Sequence, residues 1–170
     1  MIYKELSIDQ FRLADTSKIW IYQCNRDFTN EEVDEIAVLC ENFTSQWAAH
    51  GHKLMADFRI ILNRFIVLAV DEQIAHASGC SIDKSVHFFK GIENQFNVQL
   101  MNRLNIACWD TTQKQLSTFS IPNIEKALNE GKLHTDSLVF DNTVLTLGEW
   151  ENNWIKPLSQ TWLSRNFTKV

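Results

Sequence analysis

Hydrophobic positions along the chain follow two different periods, and the changes between them mark the elements. Residues 19–23, IWIYQ, are rich in β-branched and aromatic types and read as a strand. The following stretch, TNEEVDEIAVLCENFTSQWAAHG, moves to helical spacing, with Val33, Ile36, Ala37, Cys40, Phe43 and Trp47 on one face. Thr29 and Glu32 have the T-x-x-E spacing of a capping box, and Gly51 stands where a left-handed C-cap glycine belongs. A helix is therefore predicted from about residue 30 to 50.

Residues 53–61 and FIVLAVD (65–71) read as strands on either side of a turn at Asn63-Arg64. Ile82, Val86, Phe89, Ile92 and Phe96 return to the helical period, with Ser81 or Asp83 as the cap and Asn97 as the stop. NIACW, 105–109, reads as a further strand. The order β-α-β-β-α-β predicts an α+β fold of the ferredoxin-like kind, an antiparallel sheet of four strands with two helices on one face. In that topology the last strand lies beside the first, which would bring Cys108 close to Cys24. This core, with a short N-terminal lead, is expected over 1–110.

The remainder, 111–170, is expected to form an α+β extension packed on the core. TTQKQLSTFSI predicts a hairpin or strand, and Pro122 suits the first turn of a helix that runs through IEKALNEG to a capping Gly131. SLVFDNTVLTL suggests two short strands around Asp141-Asn142. GEWENNWIKPLSQTWLSRNF reads as helical in part, interrupted at Pro157.

Composition narrows the function classes. At 170 residues, 45% hydrophobic and 22% charged, the chain suits one soluble domain, or one domain with a small appendage, with room for a core. A net charge of −5 argues against broad nucleic-acid binding, which needs a basic face to displace counterions. The four cysteines, Cys24, Cys40, Cys80 and Cys108, contain no C-x-x-C pair, so neither a zinc motif nor a disulfide framework is expected. The start, MIYKELSIDQ, lacks the basic and apolar regions of a secretory signal. The longest apolar run, Phe65–Val70, is far short of the roughly 20 residues that span a bilayer. A cytoplasmic protein without membrane insertion is the expectation.

WIYQCNR, the W-x-x-H-G ending at Gly51, NRFIVLAVDE and ASGCSIDKSVHF together resemble a family of small bacterial proteins often labelled "ABC transporter ATPase". The resemblance covers most of the chain, and the label meets a chemical objection. FIVLAVDE looks like a Walker B strand ending in Asp71 and Glu72. A P-loop, however, needs G-x-x-x-x-G-K-[ST], and alignment on Lys84 puts Ser78 and Asp83 at the two glycine positions. Asp83 would set a negative charge against the phosphates. No nucleotide or other cofactor is expected on these grounds. Residues 115–158 also resemble bacterial GYF-like domains through IEKALNEGK, DSLVF and the later tryptophans, which implies peptide or protein interaction.

Three groups of residues carry candidate chemistry. Cys80 precedes a helix start, where the dipole favours thiolate, and His76 and His87 flank it as candidate bases. Ser81, Lys84 and Ser85 at the same helix start form a candidate anion site. Trp150, Trp154 and Trp162 form a candidate apolar interaction patch. His50-Gly-His52 with Asp71 and Glu72 falls short of a metal ligand set. No catalytic set is complete, so the sequence favours a non-enzymatic binding or adaptor protein with a protein or peptide partner, and leaves room for a homodimer. The alternative is a small enzyme, or a phosphate- or nucleotide-binding protein, built on the 78–87 loop and Cys80.

Overall fold

The computed structural model describes residue 6, residues 8–73 and residues 75–166. The first residues of the N-terminal lead and the end of the C-terminal segment lie outside that range. The fold is α+β with antiparallel sheets. The chain divides into two compact units, one of Met1–Met101 with Leu145–Glu149, the other of Asn102–Val144 with Trp150–Val170.

In the first unit, β1 (Lys18–Gln23), β4 (Met55–Ile61) and β5 (Phe65–Asp71) make a sheet in the order β1-β5-β4. Central β5 is buried at every position, as its unbroken apolar run requires. Trp20, Leu68 and Phe58 share one register row across the sheet, and Tyr22, Ile66 and Ile60 another. These rows pack against Ile36, Cys40, Phe89 and Ile92 of helices α1 (Asn30–Gln46) and α2 (Gly79–Phe96).

Local signals fix both helices. Thr29 and Glu32 form the reciprocal capping box that their spacing predicts. The second cap differs from expectation. Ser78 is the N-cap and Ser81 is its partner three residues on, so Ser81 lies inside the first turn and Asp83 beyond it. Asn97 stops α2 in the left-handed conformation. Gly51 does have a positive φ, +82°, yet it serves a hairpin rather than a helix. The helix ends at Gln46, and His50 (φ 50°) and Gly51 form the two-residue turn between β2 (Ala48–Ala49) and β3 (His52–Lys53). Positive φ at both central residues is what a type I′ turn needs.

The ferredoxin-like sheet is not the one observed. NIACW does form a strand, β6 (Asn105–Asp110), but it belongs to the second unit and pairs there with β7 (Gln115–Ser120) and β8 (Leu138–Phe140). The outer edge of β1 instead meets the Leu145–Thr146 segment, where the Ile19 N–H donates to the Leu145 carbonyl at 3.0 Å. Cys108 therefore does not lie on a strand paired with β1. The physical reason is edge occupancy. β7 pairs with one edge of β6 across the short 111–114 turn and β8 with the other, so β6 has no edge left for β1.

The second unit is a sheet in the order β7-β6-β8-β9, where β9 is Ile155–Pro157. A short 3-10 turn at Ile121–Asn123 with Pro122 leads into α3 (Ile124–Asn129), as the proline suggests. DNTVLTL adds no second strand after β8. Asp141 and Thr143 make a turn there, and α4 (Leu147–Asn153) follows. Among the described residues no helix is long and apolar enough to cross a membrane.

Candidate functional site

Hydrogen bonds tie down Asp71, Glu72, Ser78, Ser81 and Ser85. Asp71 is buried and accepts the Gln73 N–H at 3.0 Å. Glu72 is ion-paired to Lys18 at 2.7 Å and accepts the Ala77 N–H at 2.8 Å. Burial works against its charge, but the hydrogen bonds from Lys18 and Ala77 prevail and hold its carboxyl below the usual range. Both acids of the Walker-like strand are thus engaged in structure.

The candidate anion site does not assemble. Ser81 Oγ donates to the Ser78 carbonyl at 2.8 Å and accepts the Ser78 N–H at 2.8 Å, while Ser85 Oγ donates to the Ile82 carbonyl at 2.7 Å. Both serines are buried. Only Lys84 of the three faces solvent. The capping hydroxyls supply the helix start with the acceptors an anion would otherwise provide.

Cys80 is exposed, at the second position of α2, whereas Cys24, Cys40 and Cys108 are buried. Burial pushes the Cys40 thiol up to about 12 and the Cys108 thiol up to about 11. The histidines do not join Cys80. His76 lies 3.7 Å from Glu72, and His87 Nδ1 is 3.0 Å from the Asp83 carbonyl. Among the described residues neither imidazole is hydrogen-bonded to the thiol.

The tryptophan patch is not a surface. Trp150 and Trp154 are 0% exposed, stacked on each other with centroids 5.5 Å apart, and Trp154 packs edge-on to Phe140. Trp154 Nε1–H donates to Asn142 Oδ1 at 2.9 Å. Trp162 alone, at 46% exposure, remains accessible. Large aromatics with one satisfiable polar atom suit a core as well as a patch, and here two of the three are core.

A feature with open access lies on the helical face of the first unit. The end of α1 and the start of α2 bound a groove of about 450 Å³ lined by Phe43, Gln46, Trp47, Ala48, Lys84, His87 and Phe88. Phe43 and Phe88 stack with centroids 4.4 Å apart and planes 8° from parallel, and Trp47 lies 5.1 Å from Phe43. Trp47 itself is anchored by its indole N–H to the Ser81 carbonyl. Lys84, His87 and Gln46 form an exposed polar rim. Trp47 belongs to the core and Phe43 packs against it, as their shared apolar helix face predicts, while Lys84 and His87, candidates for an anion site and a base, border the groove instead. The helical periods of the two segments carried the signal, but only the pairing of α1 with α2 brings these residues together.

Among the described residues no group of three or more His, Cys, Asp or Glu is arranged to hold a metal ion. Comparison with family models, curated proteins and solved structures returns no match.

Proposed function

We propose that this chain is a non-enzymatic binding or adaptor protein whose partner docks in the groove between α1 and α2. The observation that carries this reading is the Phe43–Phe88 stack, half-buried on the floor of an open groove of about 450 Å³. That volume falls in the range of about 300–1,000 Å³ of ligand sites, which are apolar with a few placed polar groups. The catalytic alternative has the exposure of Cys80 in its favour, and among the described residues no base is bonded to it.

Cys80 provides the test, because it is the exposed thiol and lies one helical turn before Lys84 on α2. A photo-crosslinker attached there should capture a defined partner from host lysate. The same crosslinker at Val38→Cys, an exposed α1 position outside the groove lining, in a Cys80→Ser background should not. Equal capture from both positions would overturn the groove as the binding surface.

A further inference from the structure

We infer that the groove takes an acidic peptide segment that presents an aromatic side chain and continues along α2 across Gly91. This rests on the groove being the binding surface and adds the chemistry of its occupant.

Three observations carry it. The first is charge. The protein has a net charge of −5, yet the ionisable residues lining the groove are Lys84 and His87. Lys18, Arg26, Arg59 and Arg64 of the same unit each meet a carboxylate, whereas Lys84, like Lys53 and Lys90, is in no ion pair among the described residues, and of those three it is Lys84 that lines the groove. Asp83, its neighbour in sequence, is not part of the lining. An acidic partner would complete a charge that the fold leaves open, and complementary charge selects partners and orientation.

The second is the floor. Phe43 and Phe88, stacked and half-buried, form an aromatic surface, with buried Trp47 packed against Phe43 as its support, and an incoming ring gains offset or edge-on contact there beyond area burial.

The third is Gly91. It lies inside α2, four residues after His87 and three after Phe88, and so continues the same helix face. It is exposed, and a Cβ built on it would meet nothing within 4 Å. A mid-helix glycine costs roughly 0.5–1 kcal/mol relative to alanine. Among the described residues no neighbour requires that cost, whereas a partner backbone crossing the helix closely would. From Lys84 to Gly91 is about 10 Å along the axis at the usual helical rise of ~1.5 Å per residue, a path suited to an extended segment rather than a compact small molecule.

The experiment is selection of a displayed random-peptide library on the wild-type protein, followed by anisotropy titration of the synthetic consensus peptide. Lys84→Glu, Gly91→Gln and Phe43→Ala are titrated in parallel, with circular dichroism to establish folding. Lys84 and Gly91 are exposed, so their variants keep the test open if Phe43→Ala unfolds. Enriched peptides should carry an aromatic residue flanked by Asp or Glu, and the consensus should lose roughly tenfold or more in affinity to Lys84→Glu and to Gly91→Gln. Neutral or basic consensus peptides that still depend on Phe43 would overturn the acidic occupant and leave the groove reading standing. An acidic consensus indifferent to Gly91→Gln would overturn the path along α2. Selection that yields no peptide dependent on Phe43 or Lys84, beside a control domain that does enrich, would overturn both readings.

Discussion

The indole N–H of Trp47 donates a 2.8 Å hydrogen bond to the backbone carbonyl of Ser81, joining the residue that ends α1 to the first turn of α2. Both residues are buried. Replacing Trp47 by Phe keeps an aromatic ring but removes the donor, so it should lower stability by about 1–3 kcal/mol. Urea unfolding measures this, and a variant with an unchanged midpoint would show that the bond contributes nothing.

Gly91 gives a prediction of opposite sign. With open space around the missing side chain, Gly91→Ala should stabilise the free protein by roughly 0.5–1 kcal/mol. Thermal or urea unfolding checks it. A destabilised variant would mean that the glycine has a role within the chain.

The cysteines should separate cleanly under alkylation. Iodoacetamide at mildly alkaline pH should modify Cys80 first, while buried Cys40 and Cys108, with thiols pushed up to about 12 and about 11, should react only on unfolding. Mass-spectrometric mapping over time reads the order. Early modification of Cys40 would contradict the packing of α1.

Acid should loosen the clasp at the other end of the helices. Arg26 forks onto both oxygens of Glu32 at 2.7 Å and donates to the Phe96 carbonyl at 3.0 Å. The Arg26 guanidinium, with the Thr29 N–H, lowers Glu32 from 4.5 to about 2. A depressed carboxyl contributes stability that is present above its unfolded value and lost as pH falls through its folded one. The loss should therefore fall between about pH 4.5 and 2, and Glu32→Gln should flatten the stability profile there. A wild-type slope retained in the variant would assign the acid sensitivity elsewhere.

The three C-terminal tryptophans should behave in two ways. Trp154→Ala removes a fully buried ring and should cost about 3–5 kcal/mol, whereas Trp162→Ser at a half-exposed site should lie within about 1 kcal/mol of wild type. Chemical denaturation of each distinguishes a core from a patch.

What was legible in the sequence was local. The apolar period of Val33, Ile36, Cys40 and Phe43 and the Thr29–Glu32 cap define α1 without reference to the rest of the chain. Near misses were local as well. Ser78 and Ser81 both suit a helix start, and spacing alone does not say which is the cap. The sequence around Gly51 points to a positive φ, but a helix end and a hairpin both supply one. Sheet partnership was not legible, because NIACW has the same pattern whether it pairs with β1 or with the strand after its own turn. The groove was hidden for a related reason. Phe43 and Phe88 are 45 positions apart, and each alone looks like an ordinary core aromatic.

One end of the second sheet is chemically closed. β9 forms its outer strand and finishes at Pro157, which has no backbone N–H to offer, and the neighbouring Lys156 is drawn into an ion pair with Asp141 at 2.8 Å. A row of free amides at such a margin is a template for runaway stacking between molecules. A row of three residues that ends in proline offers little of that template along this border.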